Sequence, residues 1–148
     1  MDDIAISRFM AAVQGHPYEA IFLVTLFTGM RKGEILGLTW DHVDFGRGSL
    51  LVNQQLQRLK TDGGKKEERL VSTKNSKGRQ ITPAPFVMDA LRRQWKEQAQ
   101  WQLQAGPSWQ ESGLVFTDQL GGCLFSWSIY RSFKRLAAEI GLPGPAFP

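Results

Sequence analysis

The chain has 148 residues, 42% of them hydrophobic and 22% charged, and a formal net charge of +4. That length makes one domain with room for a buried core. The apolar runs fall far short of the ~20 residues a membrane span needs. No basic, apolar and small-residue leader opens the chain. The single Cys123 excludes an internal disulfide and a cysteine-based metal cluster. A cytosolic location is therefore expected.

The charge is unevenly spread. Residues 58–79 hold eight basic side chains against three acidic ones, a local charge of +5 that leaves −1 for the rest. A localised basic patch is the footprint of a polyanion partner, although a solvated charged hairpin has the same composition.

Asp2 or Asp3 can cap a first helix whose apolar face is Ile6, Phe9, Met10 and Val13. Gly15-His16-Pro17 ends it. Tyr18 to Phe27 reads as a central helix, apolar nearly all round. Gly29 stops that helix, and Arg31 to Gly37 reads as a short third one with Ile35, Leu36 and Leu38 turned inward. The period then changes. Ser49 to Gln57, Arg69 to Thr73 and Arg79 to Thr82 read as three antiparallel strands, with turns at Gly46-Arg47-Gly48 and Asn75-Ser76-Lys77-Gly78. Lys60 to Glu68, with Gly63-Gly64, reads as a flexible connection. Pro85 opens a long helix with Val87, Ala90, Leu91 and Trp95 as its buried face and a polar, solvated far end that includes Gln98. Leu114-Val115-Phe116 is extended. Ser126 can cap a last helix with Tyr130, Phe133, Ala137 and Ile140 on one face and Arg131, Lys134 and Arg135 off it. Trp127 and Tyr130 read as packing residues. The fold class is α+β: mostly helical, with a small three-stranded antiparallel sheet.

Two constellations carry chemistry. In Thr28-Gly29-Met30-Arg31-Lys32-Gly33-Glu34-Ile35-Leu36-Gly37-Leu38-Thr39-Trp40, an arginine stands at a helix N-terminus with a carboxylate one turn on to orient it. A guanidinium so placed suits bidentate capture of a phosphate. An Arg-x-x-Glu pair on a helix surface is the plain alternative. His16 and His42 stand at unrelated spacings, so no metal site is expected and arginines are the cations available for phosphoryl chemistry. The second constellation is Thr73-Lys74-Asn75-Ser76-Lys77-Gly78-Arg79-Gln80-Ile81-Thr82-Pro83, a lysine at a strand end beside a tight turn. General-acid work favours a lysine whose pKa neighbouring cations lower, and Lys77 and Arg79 are such neighbours to Lys74.

The first segment resembles the first arginine box of the tyrosine recombinases, the phage-integrase family. Gly113-Leu114-Val115-Phe116 and the exit Gly141-Leu142-Pro143 resemble that family as well. The resemblance covers nearly the whole chain and implies a partial catalytic domain over residues 1–148. It implies that Arg31 contacts the scissile phosphate, with Glu34 supporting it. It implies a lysine general acid on a hairpin, best matched by Lys74 with Lys77 as competitor. Lys77, Arg79, Arg131, Lys134 and Arg135 are expected DNA contacts. Cofactors are expected to be none. The expected partners are double-stranded DNA and other recombinase protomers in a synaptic complex, in a bacterial or phage-derived cytoplasmic protein. The family's His-x-x-Arg box and tyrosine nucleophile would begin about where the chain ends, so these residues alone are expected not to cleave. Helices beyond residue 148 would be needed to cover an apolar face built from residues 21–38. A non-enzymatic DNA-binding module and a type IB topoisomerase remain as alternatives.

Overall fold

Helix α1, Asp3–Val13, turns Ala5, Phe9 and Val13 inward at a four-residue spacing. Helix α2, Glu19–Thr28, is buried at every position from Ala20 to Thr25. A computed structural model of the chain describes residues 3–60, 63, 66–72 and 78–141. Helix α3 is Lys32–Leu36, α4 is Pro85–Ala105, and α5 is Ser126–Glu139. The rings of Phe9, Phe22 and Phe133 meet at centroid separations of 6.2, 5.7 and 5.6 Å, which joins α1, α2 and α5. All three rings are at most 1% exposed. Each such burial stabilises the fold by roughly 1.5–3 kcal/mol.

The strands are β1 (Val43–Asp44), β2 (Ser49–Val52), β3 (Gln54–Lys60), β4 (Lys66–Ser72) and β5 (Arg79–Ile81). They form two sheets. One is three-stranded and antiparallel in the order β1-β2-β5, with Leu50 opposite both Val43 and Ile81 and Val52 opposite Arg79. The other is an antiparallel ribbon of β3 and β4, in register from Gln54↔Ser72 to Lys60↔Lys66.

The α+β class and a three-stranded antiparallel sheet match the expectation, but the strands are divided differently. The single strand expected over residues 49–57 breaks at Asn53. Leu50 and Val52 are core residues, whereas in β3 Leu56 is only partly buried against the core. These two demands place the segments in different sheets. The strand after Asn75-Ser76-Lys77-Gly78 does not return along β4; it pairs with β2. The ribbon partner of β4 is β3.

Three packing expectations are corrected. Trp95 is 52% exposed, because its ring stands edge-on to Trp40 at 4.9 Å on the rim of the molecule. Gln98 is buried, not solvated: its amide nitrogen faces the carbonyls of Leu114 and Val115 at 3.0 and 3.2 Å and the Thr117 hydroxyl at 3.0 Å. The 114–117 stretch makes only isolated β-bridges, so a side chain supplies the donor its buried carbonyls need. The apolar residues of 21–38 are already covered within the chain: among the described residues of that range, the exposed large hydrophobic is Phe27, which packs edge-on to Phe86 at 5.0 Å.

Candidate active site and nucleic-acid interface

Gly29 takes the left-handed conformation, φ 70° and ψ 12°, and ends α2. A glycine adopts this without the Cβ penalty. Thr28 caps the same end from its side chain, donating to the Val24 carbonyl at 2.6 Å. Two residues later Arg31 stands at the N-cap of α3 in extended backbone, φ −75° and ψ 154°. Its backbone N–H donates to Glu34 Oε1 at 2.9 Å. This is the carboxylate half of a capping box. The other face of α3 lies against the ribbon: a methyl group on Gly37 would sit 2.7 Å from the Leu56 nitrogen. Gln54 reinforces the contact, donating to the Gly37 carbonyl at 3.0 Å.

Glu34 is 4% exposed. Both its oxygens accept from Arg79, Nη1 to Oε2 and Nη2 to Oε1, each at 2.9 Å. Hydrogen bonds from that guanidinium hold the Glu34 carboxyl below its ordinary range, against the burial that raises it; the Arg31 amide and the two positive charges add to the lowering. The same pairing pushes Arg79 upward. Arg79 is therefore bound to Glu34 while its side chain stays about half exposed. Glu34 supports Arg31 through the main chain. The Arg31 side chain is exposed, and its positive charge lies close enough to Glu34 to help lower that carboxyl.

Lys74 and Lys77 lie outside the described residues. The basic segment is less available than its composition implies. Arg58 donates to the Leu124 carbonyl at 2.8 Å and lies 4.3 Å from the Phe125 ring centre. With Arg79 on Glu34, two of its arginines hold the structure together.

Helix α5 presents the other cationic surface. Ile129, Phe133, Leu136 and Ala137 are buried, and Arg131, Lys134 and Arg135 are exposed on the opposite side. Trp127 and Tyr130 are 56% and 40% exposed, contrary to the packing role expected of them. Arg131 lies 5.0 Å from the Trp127 ring and Lys134 5.1 Å from the Tyr130 ring. A helical wheel drawn from Ile129 carries this signal: at 100° per residue Trp127 falls nearly opposite the buried stripe and Tyr130 at its edge. Among the described residues no group of three or more His, Cys, Asp or Glu could hold a metal. No described helix is long and apolar enough to cross a membrane.

The model of the phage integrase family matches residues 1–147. The chain belongs to the phage integrase family. As a phage-integrase chain it is similar to a XerC-like tyrosine recombinase of Caldanaerobacter subterraneus subsp. tengcongensis. The two are 29% identical over 150 residues, which covers 95% of this chain and 38% of that protein. An integrase of Streptomyces ambofaciens is 33% identical over 125 residues, covering 84% of this chain and 32% of the relative. This integrase chain thus spans well under half the length of both relatives. Its fold is that of solved recombinases. The Tn1549 transposon integrase, in complex with transposon right end DNA, superposes with a TM-score of 0.75 at 21% identity, covering 97% of this chain and 47% of that one. XerA recombinase gives 0.72 at 19% identity, covering 100% and 45%.

Proposed function

We propose that the full-length protein is a tyrosine-type site-specific recombinase that integrates or excises a mobile element. Residues 1–148 are then part of its catalytic domain. The observation that carries this reading is the exposed Arg31 guanidinium, raised at the N-cap of α3 by a buried carboxylate that fixes its backbone. Membership of the family and the match with an integrase bound to DNA support it.

In this reading a tyrosine oxygen attacks the scissile phosphorus and the bond to the 5′ oxygen breaks. The 5′ oxygen takes a proton from Lys74, and DNA is held as a 3′-phosphotyrosyl ester. Attack by a 5′ hydroxyl reverses the step and rejoins the strand. Arg31 donates to the non-bridging oxygens as their charge grows. The covalent ester conserves the bond energy, so the chemistry needs no nucleotide cofactor.

In this reading neither Tyr18 nor Tyr130 is the nucleophile. Tyr18 stands at the N-terminal end of α2, one helix length, about 15 Å, from the Arg31 end. Tyr130 packs with Lys134 on α5.

The test is a suicide DNA substrate carrying the element's end. The full-length protein should form a covalent adduct. Arg31→Ala and Lys74→Ala should slow its formation by at least about 100-fold, in line with the loss of one transition-state donor or general acid. The 148 residues alone should form none. DNA binding with no adduct from the full-length protein would instead favour a binding module acting through α5, and sequence-independent relaxation of supercoiled plasmid would favour a topoisomerase.

A further inference from the structure

We infer that Arg79 is a positioning residue for Arg31, acting through Glu34. This rests on the reading of Arg31 as a phosphate-contacting residue. Three observations carry it. The Glu34 carboxylate is buried and both its oxygens are gripped by one guanidinium at 2.9 Å. Its Oε1 also holds the Arg31 amide at 2.9 Å, so one carboxylate connects the two arginines. Arg79 itself is anchored in the three-stranded sheet, opposite Val52 on a strand whose outer residues pair with Leu50 and Leu51. The grip therefore ties the start of a five-residue helix, too short to hold its own position, to the rigid part of the core.

A carboxylate locked by a two-pronged arginine has one orientation. Without Arg79 it is a buried charge with no partner of comparable strength, and it leaves or takes a proton. In either state the Arg31 amide loses its fixed acceptor, and the first turn of α3 no longer holds the guanidinium at one place. Transition-state contacts are lost by sub-ångström to ångström displacements that leave ground-state binding nearly intact. Arg79 should therefore affect the rate of the chemical step and leave DNA affinity unchanged.

The experiment uses the full-length protein with Arg79→Ala, Arg79→Lys and Glu34→Gln. At saturating enzyme, single-turnover cleavage of a suicide substrate should fall 10- to 100-fold in Arg79→Ala. Its Kd for the same DNA, and the slope of log Kd against log salt, should stay within about twofold. Arg79→Lys should recover part of the rate. Millimolar guanidinium ion should raise the rate of Arg79→Ala and not that of Arg31→Ala. Amide exchange of the peptide containing Arg31 should accelerate in Arg79→Ala. A weaker Kd with a shallower salt slope and an unchanged saturated rate would make Arg79 a DNA contact and overturn the inference. A lowered Tm with unchanged rate at temperatures well below it would reduce the pair to a structural clamp. If the wild-type protein cleaves nothing, the recombinase reading fails by itself. The clamp is then judged on exchange alone, and unchanged exchange at Arg31 overturns it.

Discussion

The Trp40 indole donates to the side-chain carbonyl of Gln98 at 2.7 Å, across 58 positions of sequence. With its amide on Leu114, Val115 and Thr117, Gln98 joins α4 to the stretch after the arginine helix and to the extended segment before α5. Gln98→Leu fills the same space and orphans the Trp40 indole N–H and the Leu114 carbonyl, while Gln94 still donates to the Val115 carbonyl at 3.1 Å. Each orphaned buried group costs about 1–3 kcal/mol, so a total loss of about 2–6 kcal/mol is expected for the two. Urea unfolding should show a lower midpoint at an unchanged slope. A loss below 0.5 kcal/mol on the same ~1 kcal/mol scale would mean that water replaces the amide.

Gly37 offers a sharper steric test. Its added methyl would stand 2.7 Å from the Leu56 nitrogen and 2.9 Å from the Gln55 carbonyl carbon, both backbone atoms that no rotamer change can move. Gly37→Ala should cost about 1–3 kcal/mol by overpacking, although alanine is the better helix former. It should also slow cleavage in the full-length protein, because α3 is what moves. A rise in Tm would show that the approach of α3 to β3 is looser than described.

The Glu34 pair sets a direction for acid sensitivity. The folded carboxyl titrates below its ordinary value of 4.5. Its contribution is therefore complete above about pH 4.5 and lost as pH falls through the lower, folded value. Wild-type stability should drop more steeply below pH 4.5 than that of Glu34→Gln. The half-exposed Arg79 side chain limits the pair, and its removal from the buried carboxylate should cost about 2–3 kcal/mol at neutral pH. Parallel acid limbs for wild type and Glu34→Gln would mean that other carboxylates govern acid unfolding.

For α5 the expected readout is ionic. If Arg131, Lys134 and Arg135 touch phosphates, each alanine substitution in the full-length protein should weaken DNA binding across all sequences and reduce the salt slope by about 1. Trp127→Ala should weaken binding with the slope unchanged, since it removes an apolar contact. Fluorescence anisotropy over a salt series separates the two. An unchanged slope in all three basic variants would remove α5 from the interface.

Much of the site was legible in sequence where local rules govern. Gly29 as a stop, Arg31 at a helix start and Glu34 at the third helical position follow from capping chemistry that spans six residues. The engagement of Arg79 was not legible, because its partner lies 45 residues away and the contact depends on β5 returning to β2. The sheet division was hidden for the same reason: pairing is a long-range choice, and a polar segment such as β3 matches more than one partner. Gln98 was misread because a glutamine in a polar run carries no mark of burial; only the unpaired carbonyls opposite it decide. Trp95 lies four residues after the buried Leu91, so periodicity alone placed it in the core. The helix runs on past the edge of what it covers.

The break at Asn53 lets the ribbon change size without disturbing the core. Register in the three-stranded sheet is set by β1, β2 and β5, none of which pairs with β3 or β4. Two residues added to each strand between Lys60 and Lys66 would lengthen one ladder and leave the other in place, at a loop-closure cost that grows only slowly with length. The arginine helix sits at the root of that ribbon, against Gln55 and Leu56. Proteins with this architecture can therefore diversify the length of the ribbon while its base, and the arginine beside it, keep their geometry.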